Sequence, residues 1–185
     1  MLPFPAWDKD ALLWINSHHN LVLDAIFFPV SLVGERAAIW ITVALALLIV
    51  GRPGWRWTGL LLLASMFLTD QFVAQPISHH IQRIRPYLAL NDVRQLGYPW
   101  HNFSFPSGHA HVSWLAAVIL GVRFPKLILP LVAFAALTCY SRPYLGLHYP
   151  IDVMAGALLG IISGFAVLRF EKLGQRLRTE KEPCE

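Results

Sequence analysis

The chain has 185 residues, 56% of them hydrophobic and only 14% charged, where soluble domains carry about 25% charged residues. That balance excludes an ordinary soluble globule and points to a membrane protein. The excess of 15 Lys and Arg over 11 Asp and Glu is small, and no basic block interleaved with aromatics forms a nucleic-acid surface. Two cysteines, Cys139 in an apolar run and Cys184 in a polar tail, set no disulfide framework.

At the start of the chain there is neither a basic n-region nor the small-residue cleavage site of a signal peptide. The stretch DKDALLWINSHH reads instead as an amphipathic helix, so residues 1–20 are expected to lie at the membrane interface. Apolar segments then occur at about 21–33, 37–50, 58–78, 107–122, 127–142 and 150–168. Several are shorter than the ~20 residues of an isolated span, which favours six helices packed as one bundle. The expected fold is therefore all-α, a polytopic membrane protein with a six-helix transmembrane bundle over 21–168. A charged tail occupies 169–185.

Most connections are short, but residues 79–106 form a long one, and long loops in compact proteins tend to be functional. It carries His79, His80, Arg83, Arg85, Pro86, Tyr87 and His101. Six spans put both termini on one side. Ten basic residues, Lys9, Arg52, Arg56, Arg123, Lys126, Arg169, Lys172, Arg176, Arg178 and Lys181, then share that side. Five, Arg36, Arg83, Arg85, Arg94 and Arg142, fall on the other. Positive charge is retained inside, so the termini are expected in the cytoplasm and the long loop outside the inner membrane.

Three polar clusters meet on that outward side: RIRPY (83–87), PSGHA (106–110) and SRPYLGLHYPID (141–152). In the second, Ser107 is a good N-cap and Gly108 allows an anion close to the backbone. A helix N-terminus with exposed N–H groups is a ready phosphate site, and His109 in its first turn faces whatever binds there. An ordinary capped helix start is the structural alternative. His148 and Asp152, spaced i, i+4, share a face if the last helix begins between them. A carboxylate bonded to one imidazole nitrogen leaves the other free to attack or take a proton, although a structural pair has the same spacing. Arg85 and Arg142 supply planar forks for phosphate oxygens, or else anchors at headgroup depth.

Together these residues describe phosphoryl transfer without a metal: one His attacks phosphorus, the other protonates the leaving oxygen, and Arg and backbone amides hold the equatorial oxygens. Zinc is disfavoured because His109 and His111, two apart on a helix, point away from each other. His79, His80, His101 and His111 read as interfacial or loop residues.

The chain resembles the type 2 phosphatidic acid phosphatase superfamily, the integral-membrane lipid phosphate phosphatases. The family's motifs are Lys-x6-Arg-Pro, Pro-Ser-Gly-His and Ser-Arg-x5-His-x3-Asp. The second is met by Pro106, Ser107, Gly108 and His109, and the third by Ser141, Arg142, His148 and Asp152. The first is partial, with Arg85 and Pro86 in place but Ser78 where the Lys belongs. The resemblance implies His148 as nucleophile, Asp152 as its orienting partner and His109 as general acid. It also implies phosphate binding by Arg85, Arg142, Ser107 and Gly108, with Arg83, His79 or His80 as substitutes for the absent Lys charge. No cofactor or metal is expected.

The implied reaction is hydrolysis of a lipid phosphate at the outer leaflet, the partners being that lipid and the bilayer, through a phosphohistidine intermediate. Small size, a minimal core and an outward site favour undecaprenyl pyrophosphate over phosphatidic acid, phosphatidylglycerol phosphate or lipid A. The competing reading is a bundle that grips the phosphate without cleaving it, for which the Ser78 departure speaks. Vanadium-dependent haloperoxidases have a similar site but are mainly soluble.

Overall fold

The computed structural model describes residues 4–34 and 37–179, with side chains to 176. Arg36, Lys181, Cys184 and the end of the charged tail, together with the Arg178 side chain, lie outside the described residues. Among the described residues every regular element is helical, with no strand.

Helix α1 (Ala6–Ser17) is followed by α2 (Leu21–Val33), which Asn20 starts by accepting hydrogen bonds from the N–H groups of Val22 and Leu23 at 3.1 and 3.0 Å. Helix α3 (Ala38–Val50) meets α2 at a 52° bend. Helix α4 (Pro53–Thr69) runs into one wide π-type turn, Asp70–Ala74, and continues as α5 (Gln75–Ile81). The wide turn falls just before Pro76, whose ring would clash with a regular i−4 carbonyl and which has no N–H to donate. A single turn, α6 (Pro86–Ala89), lies in the long connection. Helices α7 (Gly108–Arg123), α8 (Ile128–Tyr144) and α9 (Pro150–Thr179) complete the fold.

Three stretches, Pro53–Ala89, Pro125–Tyr144 and Pro150–Arg176, are long and apolar enough to cross a membrane, or four if α2 and α3 together make one broken span. That is fewer than the six expected. The reason is length: α2, α3 and α7 have 13, 13 and 16 residues, short of the ~20 that cross a bilayer unaided.

Helix α1 packs onto the bundle by one face. It buries Asp8, Leu12 and Asn16 against α8 and α9, although Trp7 and Trp14 remain exposed. The Asn16 amide donates to the carbonyls of Arg94 and Tyr144 at 2.9 and 2.8 Å, and its oxygen accepts from Arg94 N–H at 2.8 Å. These partners, like Ile151 beside Asp8, belong to the end of the bundle at which α9 begins. The far end is where Glu171 of α9 accepts from Trp57 and Arg123. The chain's first and last helical residues therefore lie at opposite ends, against the expectation that both termini share a side. Helix α2 does not cross to the far end, since it stays beside the Tyr144 end of α8, with the Phe27 ring tilted against Tyr140 and Tyr144.

Helix α7 makes its broadest contact with α9. Glycines allow it: a Cβ on Gly156 would sit 2.3 Å from the Ser107 carbonyl oxygen, and one on Gly160 2.2 Å from that of His111. Trp40, Ala44, Leu62, Met66, Leu115 and Ile119 form the main apolar core between α3, α4 and α7. Phe27, Tyr144, Leu145 and Leu147 form a smaller one beneath the long connection. Many large apolar side chains face outward, among them Val22, Phe67, Phe72, Leu129 and Phe165, as lipid contact requires.

Candidate active site

The connection between α5 and α7 is folded onto the bundle by its own backbone. Ser104 N–H donates to Arg83 C=O at 2.7 Å, and Leu96 N–H to Leu145 C=O at 3.1 Å. Below it lies a cavity of about 520 Å³. Its polar end is formed by Arg85, Asn102, Gly108, His109, Arg142 and His148, and its apolar flank by Trp40, Ile41, Leu63, Met66, Phe67 and Val112. Three clusters that are up to about 70 residues apart in sequence thus converge on one space.

His148 sits in the turn between α8 and α9, almost fully buried. Gly146 supplies that turn's left-handed residue, with φ 73° and no room for a Cβ against the Arg94 carbonyl. The His148 Nδ1–H donates to Ser104 C=O at 2.7 Å, because a carbonyl can only accept. Nε2 therefore holds the lone pair, and Arg85 Nη1 donates to it at 3.0 Å. Burial first, then the positive charges of Arg85 and Arg142, holds the His148 imidazole well below its usual range, so it stands neutral.

Arg85 is fixed from four directions. Besides His148 it donates to Leu147 C=O at 3.1 Å, to Asn102 C=O at 3.0 Å and to the Asn102 side-chain oxygen at 2.7 Å. Arg142 is buried and donates to the Ser31 hydroxyl. His109 lines the cavity with a buried Nε2 that has no hydrogen-bond partner. Ser107 occupies the N-cap of α7, yet its hydroxyl makes no cap bond and is likewise without a partner. Its N–H donates to Asp152 C=O at 2.9 Å, which docks the start of α7 on the first turn of α9.

Two expectations change in the structure. Asp152 does not bond His148 directly, since its Oδ2 lies 3.8 Å from Nδ1, beyond hydrogen-bond reach. It accepts instead from Tyr149 N–H at 3.0 Å, from Arg83 at 2.5 Å and from the Ser104 hydroxyl, so Ser104 links His148 and Asp152 through its two oxygens. Arg83 is not among the residues lining the cavity. Its guanidinium lies between Asp8 and Asp152, each at 2.5 Å, and over the rings of Phe4 and Tyr149.

Ser78 lines the cavity, whereas Arg83, His79 and His80 are not among its lining residues. His79 packs edge-on to Phe103. His111 is buried, with Nε2 3.1 Å from the Thr69 hydroxyl. His80 and His101 are exposed. Among the described residues no three His, Cys, Asp or Glu side chains cluster as metal ligands would. Sequence reasoning passed over Asn102, Ser104, Ser31 and Asp8, because none stands at a motif spacing and the partners they bond, Arg85, Asp152, Arg142 and Arg83, lie 17, 48, 111 and 75 residues away.

The model of the PAP2 superfamily matches residues 59–175. A relative named undecaprenyl-diphosphatase, from Sulfolobus acidocaldarius, is 32% identical over 90% of this chain and 80% of its own. A lipid A 4'-phosphatase from Bacteroides thetaiotaomicron is 30% identical over 94% of this chain and 81% of its own. The crystal structure of Aquifex aeolicus LpxE superposes with a TM-score of 0.78 at 25% identity, covering 91% of this chain and 99% of that one. The cavity with its two histidines and two arginines thus sits in a chain alike in sequence to lipid phosphatases and alike in fold to a solved relative: the chain belongs to the PAP2 superfamily and is a membrane phosphatase.

Proposed function

We propose that the chain hydrolyses a terminal phosphate from a polyprenyl pyrophosphate, undecaprenyl pyrophosphate being the best candidate, by way of a phosphohistidine on His148. The observation that carries this reading is the placing of two imidazoles, His148 with a free lone pair at Nε2 and His109 with an unpartnered Nε2, on one cavity that is cationic at one end and apolar along its flank. The phosphate takes Arg85 Nη1 away from His148 Nε2 and lies between Arg85, Arg142 and the exposed backbone at Gly108. Nε2 attacks phosphorus, the bond to the bridging oxygen breaks, and His109, protonated, gives that oxygen its proton. Water then attacks phosphorus, His109 accepts the water's proton, and the P–N bond breaks to release phosphate.

The substrate assignment draws on the name of the Sulfolobus relative and on the apolar flank, which takes a chain while the headgroup meets the arginines. A second reading, dephosphorylation of a lipid-linked sugar, is favoured by Asp70, Gln75 and Ser78 on the same cavity, which suit hydroxyl groups, and by the name of the Bacteroides relative. Phosphate release by the purified chain from a panel of undecaprenyl pyrophosphate, lipid A, phosphatidic acid and phosphatidylglycerol phosphate tests both. Parent activity on the first and none in His148→Ala is the expected result; equal release from both proteins removes His148 as nucleophile, and binding without release leaves a gripping bundle. The site end of the bundle, with α1, is assigned to the outside, and the far end, with Arg52, Arg56, Arg123, Lys126, Arg169, Lys172 and Arg176, to the cytoplasm.

A further inference from the structure

Asp8 is fully buried, on a helix that none of the three sequence motifs includes. Its Oδ2 lies 2.5 Å from Arg83 Nη2, and its Oδ1 accepts from the N–H of Ile151 at 2.8 Å. The same guanidinium reaches Asp152 Oδ1 with its other terminal nitrogen at 2.5 Å, while the rings of Phe4 and Tyr149 hold it with centroids 3.6 and 3.8 Å away. One cation shared by two carboxylates leaves one negative charge over. Of the two, Asp152 is the carboxylate beside His148, with Oδ2 3.8 Å from Nδ1.

We propose that Asp8 is a positioning residue of the active site: by sharing Arg83 it leaves Asp152 a negative charge turned toward His148, and it ties α1 to the first turn of α9. The proposal rests on the reading of His148 as the reacting imidazole. It matters because the other charged groups around His148 are positive, Arg85 before α6 and Arg142 at the end of α8, with the His109 imidazole of α7 facing the same cavity. A phosphorylated imidazole carries positive charge, so Asp152 is the group that opposes the arginines when the intermediate forms. Were Arg83 to pair with Asp152 alone, that opposing charge would be cancelled.

Histidine-selective NMR titration of the full chain in detergent, with His148→Ala to assign the signal, reads the protonation of His148 without any substrate. Asp8→Asn keeps an acceptor for Ile151 but leaves Arg83 to neutralise Asp152, so the midpoint of His148 is expected to fall by about 0.5 pH unit or more. Arg83→Gln removes the cation and is expected to raise it. Loosened packing does not produce shifts of opposite sign; shifts of one sign, or none, overturn the proposal, and each variant is readable if the other fails to fold. In phosphate release, Asp8→Asn is expected to lower kcat about ten-fold with KM within about two-fold, and Asp8→Glu to recover most of the loss. Asn16→Ala, which loosens α1 without touching the charges, is expected to keep the parent kcat; an equal loss there makes Asp8 a structural anchor only and overturns the proposal. A parent chain that releases no phosphate refutes the hydrolytic reading, and the titration still decides the role of Asp8.

Discussion

Arg85 shows how much one side chain does in this site. Its guanidinium donates to two backbone carbonyls, one amide oxygen and His148 Nε2, a planar fan of contacts that an ammonium on a flexible stem does not reproduce. Losing two such contacts in a buried place costs about 3 kcal/mol, so Arg85→Lys is expected to lower kcat/KM about 100-fold while charge is retained. Steady-state phosphate release measures it. Residues whose role is set by a neighbour in the same turn were legible in the sequence: Pro106 to His109 mark a helix start, and His148 and Asp152 mark another. Direction was not legible. Arg83 and Arg85 are two residues apart and alike in charge, yet only Arg85 faces the cavity, because Asp8 and Asp152 draw Arg83 to the other side. The bond expected between His148 and Asp152 is replaced by a link through Ser104, whose partner lies 48 residues away and leaves no pattern along the chain.

Among the elements, the α7–α9 pair decides whether the Pro106–His109 turn stands where the histidines can meet. Gly156 lets the Ser107 carbonyl rest on α9, and a methyl added there would approach it to 2.3 Å. Gly156→Ala is therefore expected to lose about 2 kcal/mol of stability and most activity, because the clash is with backbone that must move. Gly174→Ala, on the same helix with nothing within 4 Å, is expected to stay within about 0.5 kcal/mol of the parent. Thermal unfolding in detergent and phosphate release compare the two. The helices themselves were largely legible from apolar runs: the segments at 107–122 and 127–142 match α7 and α8 within two residues. The expected span at 58–78 also contains the wide turn at Asp70–Ala74, whose cause, Pro76, was visible but whose geometry was not. Of the six expected spans, three or four meet a span's length and hydropathy, because hydropathy measures how apolar a segment is and not whether its helix runs along the bundle or beside its end, as α2 does.

At the scale of the molecule, the placing of α1 beside the site changes the topology that charge counting suggested. On the proposed orientation, with the site outside, α1 lies outside too and the far end of α9 lies in the cytoplasm. Single cysteines at Asp10 and Asp92, both exposed, are expected to react with a membrane-impermeant maleimide on intact cells, and one at Lys172 only after permeabilisation. Reaction at Lys172 alone would invert the orientation. The location of α1 also bears on the order in which the protein comes together. Asp8 finds Ile151 at a separation of 143 residues, and Asn16 finds Tyr144 at 128. Asp8 thus gains the N–H of Ile151, one of its two partners, only once the start of α9 is in place. A chain cut short before α9 would keep every partner of Asn16 but leave Asp8 with Arg83 alone, so that the guanidinium would be one acid's counter-charge and not the hinge between two.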